Sequence, residues 1–240
     1  SRGAFFLEPM VERDSPGGRL GWFNVLPQDL GRIEDGHEGT LIDAVPFLRQ
    51  QTRYTFTNFG VTEPLALDEY QSQGGFKGWQ AALGMSPQSI MEEIKTSQLR
   101  GRGGAAFPVW HKWHVAQQTE ADEKYVVANA DEGDAGTYCD RMIMEGDPFR
   151  LIEGMLICAR AIGATKGYLY CRHEYPAAAA TIRTAIRKAM EAGLFDLNGE
   201  TFEIEVVVGA GSYVCGEETA LLESLEGRRG VVRAKPPYPA

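Results

Sequence analysis

The sequence predicts an α/β fold, and three observations carry that prediction. Three short apolar runs, Tyr125–Asn129, Gly167–Cys171 and Phe202–Val208, have the length and composition of strands. Two segments of helical period alternate with them, and strand–helix–strand–helix–strand is the order of an α/β layer. The first and last runs end in a polar turn and a glycine loop, at the edge where open α/β sheets bind ligands.

Composition narrows the classes. The chain has 240 residues, 43% hydrophobic and 24% charged, enough for one large core or a main domain with an appendage. A net charge of -9 with no balancing basic run argues against a nucleic-acid surface. No apolar stretch reaches the ~20 residues that a membrane-spanning helix needs. The four cysteines, Cys139, Cys158, Cys171 and Cys215, form no C-x-x-C pair, so no metal or iron–sulfur site is expected within these residues. A reducing cytoplasm is the expected compartment.

Taken in order, residues 1–50 differ from the rest. Pro16-Gly17-Gly18 marks a turn between two short strands, the second near Leu20–Val25, and Pro27-Gln28-Asp29-Leu30 opens a short helix. Residues 51–75 are expected to be a connector, with Thr52–Phe56 as a short strand and Pro64–Tyr70 as the start of a helix. Ser86 then reads as an N-cap with Pro87 at N1, and Ile90, Met91 and Ile94 face a core.

That helix leads into Leu99-Arg100-Gly101-Arg102-Gly103-Gly104-Ala105-Ala106-Phe107-Pro108. Glycines let successive N–H groups line one concavity, and the arginines add forked cationic donors suited to phosphate. A plain surface loop is the alternative, because a single G-x-G-G is weak evidence. An apolar aromatic run through Trp110 and Trp113 follows.

Beyond Tyr125–Asn129 comes an acidic turn carrying Asp131, Glu132 and Asp134, open to a ligand-binding or a merely solvated reading. Asp147 and Pro148 start a buried helix that stops at Gly163. Pro176 starts an alanine-rich helix with Ile182, Ile186 and Met190 on one face, stopped by Gly193. Phe202, Ile204, Val206 and Val208 alternate with Glu203 and Glu205, giving the last strand one wetter face. A second glycine loop, Gly209–Gly216, then enters a helix at Gly216-Glu217-Glu218-Thr219. The paired glutamates suit ribose hydroxyls and repel a 2′-phosphate, or they merely complement the helix dipole.

Three stretches taken together, Leu99–Pro108, Asn129–Thr137 and Gly209–Thr219, resemble the flavin- and NADH-binding subunit shared by respiratory complex I, NAD-reducing hydrogenases and NAD-dependent molybdenum or tungsten formate dehydrogenases. The resemblance covers roughly residues 75–240 and implies a Rossmann-like FMN/NADH-binding domain over 76–240. It implies that Gly101, Arg102, Gly103 and Gly104 cradle FMN, with Lys112 on the phosphate side. Asn129 and Asp131 would contact its ribityl chain and ring, and Tyr213, Gly216, Glu217 and Glu218 would close the flavin and dinucleotide pocket. Phe107, Lys235 and Tyr238 would hold the adenosine end of NADH. Glu132 and Asp134 would stand beside the nicotinamide as the catalytic acidic turn.

Departures accompany the match. Trp110 replaces a glycine and must stack near the cofactor or turn outward, Val115 stands at an adenine-stacking position, and Ala106 replaces a third glycine with little steric consequence expected. His111 and His114 are expected to be surface or structural residues rather than catalytic ones. Residues 1–50 resemble the end of a thioredoxin-like module, with Ser1-Arg2-Gly3-Ala4-Phe5 where cysteines would stand, so no 2Fe–2S cluster is expected there. The family's β-grasp and 4Fe–4S domains are absent from these residues, and a 4Fe–4S cluster is expected only beyond them.

The implied activity is hydride exchange between NAD(H) and FMN with single-electron release to iron–sulfur centres. The implied setting is a soluble formate dehydrogenase β subunit, whose partners are iron–sulfur and molybdenum or tungsten subunits and a thioredoxin-like 2Fe–2S γ subunit. An equivalent hydrogenase or complex I subunit is the alternative within the family. A flavin-free assembly subunit is the alternative from another class.

Overall fold

The structure, a computed structural model, describes residues 4–35, 39–134 and 136–239. The chain divides into two compact units, Ser1–Gly60 and Val61–Ala240.

In the first unit, β1 (Val11–Ser15) and β2 (Gly18–Trp22) form an antiparallel hairpin. A 3-10 turn at Pro27–Asp29 leads into α1 (Leu30–Glu34), and the Asp29 carboxylate accepts the Leu26 N–H at 2.9 Å. β3 (Thr40–Leu41) adds to β2, and α2 (Pro46–Arg49) brings Leu48 against Ala4 and Ile42 in a small core. The second strand stops at Trp22 rather than Val25, because Asn24 takes a left-handed φ of 52° and turns the chain out of the ladder.

The strand expected at Thr52–Phe56 is absent. Strand backbone needs a partner ladder, and here the segment curls so that Phe59 N–H donates to Phe56 O at 3.2 Å, with the two rings edge to face. Ser1, Arg2 and Gly3, part of the segment expected to lack cluster cysteines, lie outside the described residues.

The second unit opens with α3 (Leu67–Ser72) and α4 (Lys77–Leu83). Glu153 anchors both: it accepts from Tyr70 Oη at 2.6 Å, Phe76 N at 2.8 Å and Trp79 N at 3.0 Å. α5 (Pro87–Thr96) starts as the sequence predicts, with Ser86 Oγ accepting from Ser89 N at 3.1 Å; Ile90 and Met91 are buried. α6 (Val109–Gln118) follows the glycine loop.

β4 (Tyr125–Ala130), α7 (Cys139–Gly146), α8 (Pro148–Ile162), β5 (Lys166–Cys171), α9 (Pro176–Glu191) and β6 (Glu203–Val208) come next, then α10 (Glu218–Leu225). The three strands form one parallel sheet in chain order. α8 is the central core helix: Phe149, Ile152, Met155, Leu156 and Ala159 are buried with Leu169, Ile182 and Phe202. Met190, grouped with Ile182 and Ile186 by helical spacing, is instead nearly half exposed in a surface groove beside Ile204 and Val206. Register puts Ala130 opposite Cys171 and Cys171 opposite Val208. Asp131, Arg172 and Gly209 therefore leave the sheet from the same edge.

Candidate functional site

The glycine loop is a short hairpin. Val109 N–H donates to Leu99 O at 3.0 Å, Gly101 N–H to Phe107 O at 2.8 Å, and Arg100 Nη1 to Ala106 O at 3.0 Å. These bonds use the Gly101 N–H and Arg100 to hold the stem. The tip remains open: a Cβ on Gly103 or Gly104 would meet nothing within 4 Å, and Gly104 takes φ +104°. Arg102 is exposed and makes no hydrogen bond or ion pair among the described residues. Its charge is felt at Cys139, at the start of α7. Ala106 occupies φ 50°, so its methyl carries a left-handed cost of about 1 kcal/mol. That corrects the expectation of little steric consequence.

At the end of β4, Asn129 Nδ2 donates to Gly216 O at 2.8 Å, and Asn129 Oδ1 accepts the Asp131 N–H at 3.2 Å. One side chain thus ties the strand end to the second glycine loop. Asp131 is buried, and desolvation pushes its carboxyl up to about 6 against the opposing charge of Arg172. Glu132 faces α7: its carboxylate accepts from Asp140 N at 2.8 Å, Arg141 N at 3.2 Å and Tyr175 Oη at 3.0 Å. Asp134 is exposed and accepts from Tyr213 Oη at 3.0 Å. The Tyr213 ring lies so close to Gly133 that a Cβ there would sit 2.8 Å from it. Only glycine fits under that ring.

Glu217 caps α10, with Oε2 accepting from Thr219 N at 2.9 Å and Ala220 N at 3.1 Å. Lys235 Nζ lies 2.9 Å from Glu217 Oε1 and 2.7 Å from Glu218 Oε1, while Lys112 Nζ lies 3.0 Å from Glu218 Oε2. Burial would raise the Glu217 carboxyl, but bonds from Thr219 and Lys235 outweigh it and hold the group at about 2. Both lysines are therefore neutralised within the chain, and a phosphate reaching either must displace Glu218. A cavity of about 260 Å³ opens beside this quartet, lined by Lys112, Trp113, Asn129, Glu218, Leu221 and Pro239 among others.

The aromatic candidates separate. Phe107 is half exposed and meets His111 edge-on at 5.6 Å, and Tyr238 is exposed. Trp110 packs against the core with Lys95 Nζ 5.2 Å from its ring, and His111 and His114 flank it. Arg172 and Tyr175, which grip Glu132, were missed from sequence; their signal is position, immediately after the ligand-side end of β5. All four cysteines are free thiols. Among the described residues, no group of three or more His, Cys, Asp or Glu could hold a metal ion. No helix there is long and apolar enough to cross a membrane.

Two desolvated carboxyls, the buried Asp131 and the partly buried Asp140, make stability depend on pH. Asp131 and Asp140 are both raised to about 6, from 3.8, chiefly by burial. A raised carboxyl binds its proton more tightly folded than unfolded, so its stabilisation is full below pH 4 and lost as pH rises through 6. Asp140→Asn is expected to shrink the difference in unfolding free energy between pH 5 and pH 7 by about 1 kcal/mol after discounting for partial exposure. Urea titrations at the two pH values check this, and an unchanged difference would mean that Asp140 ionises freely.

An α/β domain that carries an acidic turn and a capped second loop at one sheet edge, together with an open cationic glycine loop, belongs to the class that binds phosphate-bearing cofactors. Comparison makes the class specific. The family model described as the Nuo51 FMN-binding domain matches residues 94–240, and the chain belongs to that family. It is 46% identical over 196 residues to the NADP-reducing hydrogenase subunit HndC of Solidesulfovibrio fructosivorans, covering 80% of this chain and 40% of that protein. It is 49% identical over 184 residues to an NADH-quinone oxidoreductase subunit of Escherichia coli, covering 74% of this chain and 41% of that protein. Among solved structures, an NAD+-reducing [NiFe]-hydrogenase in the H2-reduced state matches with a TM-score of 0.66 and 30% identity, over 100% of this chain and 40% of that one. The chain thus spans about two fifths of the length of these relatives.

Proposed function

We propose that this chain is the electron-entry module of a larger NAD(H)-dependent oxidoreductase, binding FMN and NAD(H) at the sheet edge. The observation that carries it is the unengaged Arg102 beside the open Gly103–Gly104 tip, a cationic cradle with no protein partner of its own among the described residues. The residues present fit FMN: the tip and Arg102 for the phosphate, and Asn129 and Asp131 for the ribityl chain and ring. Lys112 joins them once Glu218 releases it. Bound FMN would supply two-electron hydride chemistry coupled to single-electron release. The chain supplies position and charge, and no side-chain nucleophile is called for. An absorption spectrum of the full-length protein showing flavin, bleached anaerobically by NADH, tests the proposal; a colourless protein that takes up no FMN refutes it and favours the flavin-free assembly subunit. Trp110, one support for that alternative, packs on the core.

For the whole enzyme we favour a soluble, cytoplasmic NAD-dependent formate dehydrogenase, with molybdenum or tungsten and iron–sulfur partner subunits. Its support is the resemblance of residues 1–75 to a thioredoxin-like remnant and connector. Relatives named as hydrogenase and NADH-quinone oxidoreductase subunits support the module and make those enzymes the alternatives. Formate-dependent NAD+ reduction by the purified native complex decides between them.

Two consequences can be measured with an artificial electron acceptor. Glu218 already compensates Lys112 and Lys235, so a 2′-phosphate meets no free cation there. NAD(H) is therefore expected to be preferred over NADP(H), and Glu218→Gln, by leaving net positive charge, should narrow the kcat/KM ratio about tenfold. Equal values in the wild type would sink the idea. The second consequence concerns product release. Asp134 is a carboxylate held by Tyr213 at the turn assigned to the nicotinamide, and oxidised nicotinamide is a cation. Asp134→Asn should weaken NAD+ product inhibition about three- to tenfold, roughly 1 kcal/mol for a partly wet charge, while moving the KM for NADH less.

A further inference from the structure

We propose that Arg172 is a positioning residue for the acidic turn: its guanidinium fixes the Glu132 carbonyl and so sets the backbone that borders the flavin site. This rests on the flavin-binding reading above. Arg172 leaves β5 at the ligand edge, and its N–H bonds Ala130 O at 3.2 Å. Its Nη1 donates to the Glu132 carbonyl. The other face of the fork is committed to Glu174, with Nε 3.0 Å from Oε2 and Nη2 3.0 Å from Oε1. A planar guanidinium locked on a carboxylate has its remaining N–H groups aimed in one direction.

The same short segment holds Glu132 a second time. Arg172 lies 5.0 Å from the centre of the Tyr175 ring and Arg141 lies 5.7 Å from it, and Tyr175 Oη bonds the Glu132 carboxylate. Glu132 is thus gripped at its carbonyl by Arg172 and at its side chain by Tyr175. Its neighbours on either side are the buried Asp131, a proposed flavin contact, and Gly133 under the Tyr213 ring. The Arg172 side chain is only 19% exposed, so little water is at hand to replace it. Lysine could reach the carbonyl with one donor but could not also make the two-point contact with Glu174.

The test uses the full-length protein with Arg172→Ala, Arg172→Lys and Glu174→Gln. Amide exchange over residues 131–134 is followed in the flavin-free protein, and FMN affinity is read from quenching of free-flavin fluorescence. Arg172→Ala is expected to speed exchange in the turn about tenfold and to raise the FMN dissociation constant about tenfold, with exchange in β5 and α8 unchanged. Arg172→Lys should recover FMN affinity to within about threefold of the wild type, and Glu174→Gln should fall between the two substitutions. The proposal is overturned if Arg172→Ala leaves both readouts at wild-type values. It is equally overturned if lysine fails to rescue and exchange rises across the whole unit, which marks a general structural role. Should the wild type bind no FMN, the functional proposal fails, while exchange in the turn still decides the role of Arg172.

Discussion

Arg102→Ala is expected to weaken FMN binding about 10- to 100-fold, the equivalent of roughly 1.5–3 kcal/mol for a charge-assisted hydrogen bond to phosphate. The structure sharpens the reason. Arg100, two residues earlier, is bound to Ala106 O and stabilises the loop stem, whereas Arg102 at the tip holds nothing among the described residues. Removing Arg102 should therefore cost ligand affinity and leave stability nearly unchanged. Arg100→Ala should do the reverse in the apo-protein, loosening the hairpin. Fluorescence titration of FMN and thermal melts of both variants separate the two roles. An unchanged FMN dissociation constant for Arg102→Ala would place the phosphate elsewhere.

Glu132→Ala is expected to destabilise the second unit by about 3 kcal/mol, because three donors lose one acceptor at once. Two of them are the backbone N–H groups of Asp140 and Arg141 at the start of α7, and the third is Tyr175 Oη. Water reaches part of this site, so the loss is smaller than three full orphaned groups would give. For a unit of this size the melting temperature should fall roughly 6–12 °C. Glu132→Gln keeps an acceptor and should cost about a third as much. If Glu132→Ala melts like the wild type while NADH oxidation collapses, the residue acts on substrate and not on α7.

Much of the fold is legible in the sequence because the signals are local. Tyr125–Asn129, Gly167–Cys171 and Phe202–Val208 are short, apolar and punctuated, and all three lie in the parallel sheet. Ser86-Pro87 and Gly163 delimit helices by cap chemistry that needs no tertiary partner. Thr52–Phe56 failed for the complementary reason: strand composition without a neighbouring strand makes no ladder. α4 and α7 were not foreseen. Each begins where the N-cap backbone is left-handed, at Phe76 and Tyr138, with a glutamate from outside the helix accepting N–H groups at its start.

The motifs that point to the site are legible in the sequence, since glycine loops, an acidic turn and paired glutamates are carried by residues adjacent in the chain. Tertiary structure decided which groups in it are available. Glu132 looks like a free carboxylate in the sequence, yet it caps a helix, and Glu217, left open between ribose recognition and the helix dipole, caps another; Lys112 and Lys235 look like free cations, yet Glu218 joins them. Arg172 carries no motif at all, and it reaches Glu132 across 40 residues of chain. Spacing along a chain sets period, turn and cap, but a charged group's partner is whatever packing brings within about 3 Å of it, and that distance depends on every element in between.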